Sequence, residues 1–493
     1  MIASRADRAA AGTARLAPMG QSQRAMRALA AACLGALFGL LPACGKGRPG
    51  DVLLITVDTL RPDHLGLYGY ERATSPNLDR WLADAAVFER AYSTEANTPP
   101  SVVSILSGLP PHEHRVRLFY QLVPETTKLL AELLPQAYVS AAFVANVVLS
   151  NDALGIAPRF DHYDDYVDEL ATHGLDGSPI WERQASRTTA AALRWLREES
   201  DPERPLFLWV HYIDPHRPYS APAATPRRFQ HAEPLLVPRS RLRLRGKKPG
   251  EADALDQVDA YDEEIAYVDA EIGRLLDGFA EARPIEESLV VFTADHGESM
   301  LEHELWFAHG YHVYEEIIRV PLVVRGPGVT AGRFATPASG VDVAPTILAF
   351  AGAEAPAAWR GFDLRRPDAM PEDRTVLAEA TSTSKLFGHW RAAIRGGAKW
   401  MARTKHGERS VEERLHYDLE ADPAELEPRP WTEAEGAGAL LLELAETDPD
   451  PGGVPDDAKL GTRLRAPKIS PRVTDAQLEK LRALGYAEDD AAE

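Results

Sequence analysis

Acidic and imidazole side chains follow apolar runs at separate places in the chain. In order they are Asp58, Asp214, His216, Asp295, His296 and His309, the last within the loop FAHGYHVYEE. Carboxylates and imidazoles drawn to one place can bind divalent metals. Each residue alone is more simply explained as a turn, cap or loop residue. Their joint occurrence, in this order, predicts a metal centre.

A threonine, Thr98, lies between the first and second of these groups, in the stretch NTPPSVVSILSG (Asn97–Gly108). Thr98 suits a helix N-cap and Pro99 the first helical position, so the simplest interpretation is that Thr98 only caps a helix. The free N–H groups and positive dipole end of a helix can also hold a sulfate or phosphate ester. A threonine hydroxyl is a poor nucleophile unless a base or metal lowers its pKa. A catalytic Thr98 therefore requires the metal ligands.

The elements that must position these groups alternate between strand and helix patterns. We predict buried strands at Asp51–Asp58, Tyr138–Val147, Pro205–Tyr212, Leu289–Asp295 and Val320–Val324, helices at Ser75–Arg90, Thr127–Leu134, Arg183–Glu199 and Asp253–Ala282, and a linker at Gly246–Ala252. Such alternation predicts an α/β fold with a mostly parallel sheet covered by helices on both faces. Sites in such sheets form at the carboxyl ends of the strands.

The pattern changes near Arg374 to shorter, β-like segments separated by Gly or charged turns. We predict a catalytic domain at 51–373 and a small lobe with an antiparallel sheet and a helix at 374–423. Residues 424–493 are rich in Pro, Asp and Glu, and we expect an acidic, loosely packed tail with helices at Leu440–Glu446 and Asp475–Leu484.

The N-terminal segment has the features of an export signal. Arginines precede an apolar run, Ala28–Leu41, which is too short for a comfortable membrane span and leads into LPAC. This resembles a bacterial lipobox, so we predict a signal peptide at 1–44, a lipidated Cys44 and a linker at 45–50. The protein would then be an exported lipoprotein on the periplasmic face of the outer membrane or on the cell surface. An ordinary secretory signal or an uncleaved anchor is the alternative.

Charge and cysteine content exclude other classes. The formal net charge is −20, which argues against a nucleic acid partner. Cys33 and Cys44, the two cysteines, both lie in the N-terminal segment, so the rest of the chain has neither a disulfide framework nor a Cys-ligated zinc site.

Motifs in the order of one known family run from Asp51 to about Pro423. They are DVLLITVDTLRPDHLGLYGY, SPNLDRWL, TPPSVVSILSG, LPPHEH, HYIDPHRPY, EIAYVDAEIGRLLD, FTADHGE, HGYHVYEEIIRVPLVVRGPG, VDVAPTIL and LHYDLEADPAE. In them the chain resembles the sulfatase family of the alkaline-phosphatase superfamily. The resemblance implies an alkaline-phosphatase-like sandwich with a large mixed, mostly parallel sheet and a small C-terminal α+β lobe. It also implies a metal-assisted nucleophile that attacks a sulfate or phosphate ester.

Several positions depart from the family pattern. Sulfatases have Cys or Ser, converted to formylglycine, where this chain has Thr98, and threonine lacks the primary CH₂ group that the conversion oxidises. The Arg of the usual Pro-Ser-Arg pattern is Val102, the sulfate-contacting Lys falls near Gly310, and a second N-terminal Asp ligand is replaced by Thr59. The standard sulfatase mechanism is therefore not implied for this chain.

Another branch of the superfamily uses a Thr or Ser nucleophile between two metals, as in nucleotide pyrophosphatases, phosphodiesterases and cofactor-independent phosphoglycerate mutases. Resemblance to that branch implies one metal at Asp58, Thr98, Asp295 and His296, and another at Asp214, His216 and His309. The Asp-to-His spacing is two, where that branch commonly has four, so an alternative role for His216 is a contact to the substrate oxygens. We expect one or two divalent metals, with Zn or Mn favoured and Ca or Mg possible.

The implied activity is hydrolysis of sulfate esters or, more readily given Thr98, of phosphate mono- or diesters in a small molecule, glycan or lipid. The catalytic residues would be Thr98, His216 and His309, and the substrate contacts Asn97, Asn146, His211 and His312. Two alternatives stay open: a phosphotransferase or mutase on the same scaffold, and a catalytically inactive binding protein. The sequence leaves the oligomeric state open.

Overall fold

The computed structural model describes residues 49–167, 172–173, 179–180, 182–222, 225–226, 228–229, 251–381, 388–405, 408–432, 436–448, 474 and 477. The predicted signal peptide at 1–44, with Cys44, lies outside these residues, as do most of the linkers predicted at 45–50 and Gly246–Ala252. Among the described helices, none is both long and apolar enough to cross a lipid bilayer.

The described elements alternate between strands and helices. The strands are β1 (Val52–Val57), β2 (Ala86–Phe88), β3 (Ala91–Tyr92), β4 (Val139–Val144), β5 (His162–Asp164), β6 (Thr172–His173), β7 (Pro179–Ile180), β8 (Leu206–Tyr212), β9 (Leu289–Ala294), β10 (Leu322–Arg325), β11 (Gly332–Phe334), β12 (Ala338–Ser339), β13 (Thr375–Thr381), β14 (His389–Arg395), β15 (Ala398–Thr404) and β16 (Val411–Asp418). The α-helices are Pro76–Trp81, Thr98–Ser107, Pro111–His114, Leu130–Leu133, Asn151–Leu154, Ala185–Glu198, Glu251–Ala282, Glu315–Ile318, Val343–Ala351 and Gly438–Thr447.

The main sheet has eight strands in the order β11-β2-β10-β9-β1-β8-β4-β5. Strand β1 lies parallel to both β8 and β9, and β4 lies parallel to β8 and β5, whereas β10 is antiparallel to β9 and β2. The residues of β1, β8 and β9 are all buried, as expected for apolar strands covered on both sides. The predicted mixed, mostly parallel sheet is confirmed.

The register of the parallel strands explains why side chains that could bind a metal lie at one edge of this sheet. Val57 at the end of β1 lies opposite Tyr212 at the end of β8 and Ala294 at the end of β9. The residues that follow these strands, among them Asp58 and Asp295, therefore leave the sheet at the same edge.

Helix packing covers the sheet around this edge. The helix Ala185–Glu198 buries Leu193, Trp195 and Leu196 and packs on β4, β8 and the long helix Glu251–Ala282. The helix Val343–Ala351 packs on β9 and on the helix that begins at Thr98.

The C-terminal lobe is an antiparallel sheet in the order β13-β14-β15-β16. The helix Gly438–Thr447 packs on β14 and β15 and buries Leu441, and the buried Trp431 donates its Nε1–H to Met401 O at 3.1 Å. Trp431, Ala437 and Leu441 thus complete the core of the lobe, although they lie in the segment 424–493 for which a loosely packed tail is predicted. The predicted helix Asp475–Leu484 lies outside the described residues apart from Gln477.

Some predicted elements are shorter than expected. The helix predicted at Ser75–Arg90 ends at Trp81, because Val87 and its neighbours form β2 and pair with β10 and β11. The strand predicted at Tyr138–Val147 ends at Val144, since the Asn146 side chain accepts a hydrogen bond from Val148 N and starts a 3₁₀ turn. The helix predicted at Thr127–Leu134 is reduced to Leu130–Leu133.

Candidate active site

The ends of β1 and β9 bring two carboxylates together. Asp58 N–H donates to Tyr212 O at 2.9 Å, and Thr59 N–H donates to Asp295 Oδ1 at 3.3 Å. Asp58 and Asp295 are both fully buried. Thr59 has a φ of 54°, in the left-handed region that β-branched residues rarely adopt, so the turn after Asp58 is strained.

Thr98 is the first residue of its helix, and the N-cap position belongs to Asn97 rather than to Thr98 as predicted. The Thr98 hydroxyl lies 3.3 Å from Asp58 Oδ2 and 3.3 Å from His296 Nε2 instead of capping the helix. Three turns of buried helix hold it there, and Ser101 Oγ donates to Asp295 O at 2.6 Å, which fastens the helix to the end of β9.

His296 is oriented by the backbone. Its Nδ1 lies 2.9 Å from Gly297 O, and because a carbonyl only accepts, Nδ1 carries the proton and Nε2 presents its lone pair toward Thr98. A side chain at Gly297 would place its Cβ 2.3 Å from Glu316 O, so only glycine allows this close approach.

The donor set fits a divalent metal. Ligand atoms of Asp58, Asp295 and His296 all lie within 4.8 Å of one another, and Asp295 Oδ2 has no hydrogen-bond partner among the described residues. Two carboxylates and one imidazole suit Zn or Mn and do not exclude Mg or Ca. These residues would hold the metal that the sequence predicts.

The pKa values of the Asp58 and Asp295 carboxyl groups are shifted in opposite directions. Burial and the neighbouring Asp58 charge raise the pKa of Asp295 well above its usual range. Although burial opposes it most, the nearby imidazoles of His211, His216 and His296 hold the pKa of Asp58 below its usual range. These surroundings therefore favour the ionised form of Asp58 and the protonated form of Asp295, and a bound cation would favour the ionised form of both.

Two further imidazoles lie beside His296. The His309 ring lies 4.4 Å from the His296 ring and 5.2 Å from the His216 ring. His309 Nδ1 contacts Glu298 Oε1 at 3.0 Å, and Glu298 Oε2 accepts a hydrogen bond from Tyr219. Burial lowers the pKa of His216 to about 4. Sequence reasoning missed Glu298, although it stands in the FTADHGE motif and its partner His309 was recognised.

The predicted substrate contacts Asn146 and His211 both lie against Asp58. Asn146 Nδ2 donates to Asp58 Oδ2 at 2.6 Å, and His211 Nε2 lies 3.7 Å from the same oxygen. Asn97, adjacent to Thr98 in the chain, instead donates to Glu95 Oε2 at 2.7 Å.

Asp214 and His312 lie in different surroundings from those predicted. Asp214 Oδ2 accepts from Ala185 N–H at 3.0 Å at the start of the helix Ala185–Glu198, and burial raises its pKa to about 7. Among the described residues, the three-ligand group consists of Asp58, Asp295 and His296 and does not include Asp214, whose role as a metal ligand stays a prediction. The His312 ring lies 5.5 Å from that of Trp390 in the C-terminal lobe, and burial lowers its pKa to about 3.

Comparison with known proteins gives relatives over most of the chain. An arylsulfatase of Clostridium perfringens is 25% identical over 439 residues, which cover 76% of this chain and 89% of the relative. A choline-sulfatase of Rhizobium meliloti is 30% identical over 253 residues, but this match spans 47% of this chain and only 48% of the relative.

Solved structures share the fold. A 2-O GAG sulfatase superposes with a TM-score of 0.63 at 18% identity, covering 80% of this chain and 90% of the other. A phosphonate monoester hydrolase from Silicibacter pomeroyi superposes with a TM-score of 0.61 at 21% identity, covering 80% and 94%. The model of the Sulfatase family matches residues 50–353, more than half of the 493 residues. With Asp58, Thr98, Asp295 and His296 all inside that match, the chain belongs to the sulfatase family.

Proposed function

We propose that this protein is a metal-dependent ester hydrolase that uses Thr98 as its nucleophile and prefers phosphate mono- or diesters to sulfate esters. One observation carries the proposal: the buried Thr98 hydroxyl lies 3.3 Å from both Asp58 Oδ2 and His296 Nε2. A threonine that only capped its helix would direct this oxygen to a backbone N–H instead.

Asp58, Asp295 and His296 would hold the metal. A divalent cation bound there would lower the pKa of the Thr98 hydroxyl and stabilise negative charge that develops on the ester. Asn146 keeps the Asp58 carboxylate oriented through its 2.6 Å hydrogen bond, and Gly297 O keeps the His296 ring in its tautomer.

The reaction would proceed in two displacements. The Thr98 oxygen forms a bond to phosphorus while the bond from phosphorus to the leaving oxygen breaks. The Thr98 proton leaves with the departing alcohol, directly or by way of His309. Water then attacks the Thr98 phosphoester, phosphate or a monoester departs, and the Thr98 hydroxyl regains a proton, so that one water is consumed for each ester cleaved.

The preference for phosphate rests on the residue at position 98. The formylglycine route of sulfatases is closed to threonine, whereas a threonine hydroxyl can form and release a phosphoester. That a phosphonate monoester hydrolase shares the fold supports this choice, although the likeness itself extends only to the fold.

The test uses the purified chain with MnCl₂ or ZnCl₂ and three substrates: p-nitrophenyl phosphate, bis-p-nitrophenyl phosphate and p-nitrophenyl sulfate. We expect turnover of a phosphate ester, a loss of at least about 10³-fold in Thr98→Ala, and retained activity in Thr98→Ser. Full activity in Thr98→Ala would exclude Thr98 as nucleophile. No turnover of any ester by the unaltered chain would favour the inactive binding protein.

The location of the enzyme is proposed from the sequence alone. A lipidated Cys44 would anchor it at the periplasmic face of the outer membrane or at the cell surface, where a glycan, lipid or small-molecule ester could reach it. Cys44→Ser should then move the protein from the membrane to the soluble fraction, and an unchanged distribution would contradict the lipid anchor.

A further inference from the structure

The chain just before Thr98 pairs with the C-terminal lobe. Glu379 N–H in β13 donates to Thr94 O at 2.9 Å, and Ala96 N–H donates to Glu379 O at 3.1 Å. The residues that lead into the Thr98 helix are thus held by the edge of a sheet that belongs to a different part of the chain.

Glu95, in the middle of this pairing, bridges the two sides with its carboxylate. Glu95 Oε1 accepts from Thr381 N–H at the end of β13 at 2.7 Å, and Oε2 accepts from Asn97 Nδ2 at 2.7 Å. The side chain is fully buried. Because Asn97 directly precedes Thr98, one oxygen of Glu95 holds the lobe and the other holds the residue next to the nucleophile.

Strand β13 is itself clamped at this point. Arg117 Nε donates to Glu379 Oε1 at 2.5 Å, and Arg117 Nη2 donates to Asp448 Oδ2 at 2.6 Å. Arg117 and Glu379 are buried, so these charged hydrogen bonds are sheltered from solvent. The strand residue Glu379, which pairs with Thr94 and Ala96, is therefore anchored through Arg117 to Asp448.

We propose that Glu95 is a positioning residue that couples the C-terminal sheet to the orientation of Thr98. The proposal rests on the nucleophilic role of Thr98 in the proposed function. Attack by an oxygen requires near-exact placement, and an error of about 1 Å can cost about 100-fold in rate. The lobe thus contributes to catalysis although Glu95 does not contact Asp58, Asp295 or His296 in the described hydrogen bonds.

The experiment compares Glu95→Gln with the unaltered chain. Glutamine presents an NH₂ group to one of two donors, so one hydrogen bond is lost while size is kept. We expect kcat to fall by about 10- to 100-fold with KM changed by less than about threefold. Mn²⁺ uptake should stay unchanged, because the ligands are untouched.

Asp342→Asn is the matched control. Asp342 is fully buried and accepts from Ser339 N, Phe362 N and Arg374, and in the described hydrogen bonds its side chain does not contact the Thr94–Asn97 segment. It should lower the melting temperature without lowering kcat of the folded protein. If both variants lowered kcat in proportion to lost stability, Glu95 would have only a structural role and the proposal would be overturned.

A double-mutant cycle tests the bridge itself. Asn97→Ala removes the donor, so the double variant with Glu95→Gln should lose no more kcat than the worse single variant. Additive losses would show that Glu95 does not act through Asn97 and would overturn the proposal.

Amide hydrogen exchange separates this inference from the proposed function. Glu95→Gln should speed exchange at Ala96 and Thr381 while leaving β14 and β15 unchanged. If the unaltered chain hydrolysed no ester, the proposed function would fail, and faster exchange at these two amides would still support the coupling. Unchanged exchange would overturn it.

Discussion

Two buried groups of charges in this molecule are balanced in different ways. At the sheet edge, Asp58 and Asp295 lie near each other and near imidazoles, and among the described residues neither forms an ion pair with a Lys or Arg. At the junction with the C-terminal lobe, Glu379 and Asp448 share Arg117 at 2.5 and 2.6 Å. Both groups are buried, so solvent does not explain the difference.

The pKa shifts express the same contrast. Burial and Asp58 raise the pKa of Asp295 well above its usual range. At the junction burial also opposes ionisation, but Arg117 and the nearby His389 imidazole hold the pKa of Glu379 well below its usual range. A carboxylate that its own protein leaves uncompensated is suited to receive a cation from solution, whereas a compensated one is suited to hold two parts of the chain together.

The largest expected effect on turnover and metal uptake comes from neutralising the Asp58 carboxylate at the sheet edge. Asp58→Asn should reduce turnover by at least about 10³-fold and abolish Mn²⁺ uptake, because Asp58 contacts the Thr98 hydroxyl and belongs to the donor set. Asp51→Asn, at the opposite end of β1 and equally buried, should leave both unchanged. Steady-state kinetics and metal analysis measure the outcome, and metal retained in Asp58→Asn would contradict the assigned centre.

A substitution at the junction with the C-terminal lobe should lower the free energy of unfolding and not the metal uptake. Arg117→Ala removes one of the arginines that contact both Glu379 and Asp448, while Arg391 still contacts both, so the cost should be a part of the about 3 to 5 kcal/mol expected when a buried charge loses its whole partner. Urea unfolding should show this loss, while metal uptake of the folded protein persists. Glu379→Gln removes one of the two carboxylates that lost Arg117, so adding it to Arg117→Ala should recover part of the loss. No recovery would mean that the loss does not come from unbalanced charge.

Asp295→Asn should have the opposite sign from Arg117→Ala. In EDTA at pH 7, the unfolded chain has an ionised Asp295 that must take up a proton on burial, and asparagine avoids this cost, so the free energy of unfolding should rise by about 1 to 3 kcal/mol. In MnCl₂ the unaltered chain should have the higher free energy of unfolding, because only the unaltered chain is stabilised by bound Mn²⁺. A stability loss in EDTA would show that Asp295 is compensated after all, and the contrast between the two groups would fail.

Sequence reasoning found the strands and most of the site because these depend on local signals. Apolar runs that end in Asp58 and Asp295 predict buried parallel strands, and parallel register then brings the two acids to one edge. Thr98 and His309 were also singled out from the sequence itself, and the family resemblance added their roles as nucleophile and metal ligand.

What sequence reasoning missed depends on contacts between distant residues. Nothing near Asp214 reveals that its carboxylate binds the amide of Ala185, and nothing near Glu95 reveals that β13 passes beside it. The acidic composition of the tail likewise hid the burial of Trp431 and Asp448. The composition of a segment indicates only how exposed its residues are on average. Its packing depends on a few buried side chains, here Trp431 and Asp448.

Glu425 offers a smaller test, because it is an incompletely compensated carboxylate outside the sheet edge. Burial, together with Glu315 and Glu316, raises its pKa to about 7 despite Lys399 at 2.8 Å. The folded chain therefore keeps a proton that the unfolded chain releases near pH 4. This contribution to stability is full below about pH 4 and is lost as pH rises toward 7, by at most about 1.4 kcal/mol per pH unit. Urea unfolding of Glu425→Gln should lack this slope, and an identical slope would contradict the shift.

The smallest effect on the metal centre is expected at Asp214. Asparagine can still accept from Ala185 N–H through Oδ1, so Asp214→Asn should keep the helix start and leave Mn²⁺ and Zn²⁺ uptake unchanged. Asp214→Ala removes that acceptor and should cost about 1 kcal/mol in urea unfolding, again without loss of metal. Inductively coupled plasma analysis of both variants measures uptake. If Asp214→Asn halved the metal content, a second metal would be bound through Asp214. Cation-binding carboxylates would then not be confined to the edge formed by Asp58 and Asp295.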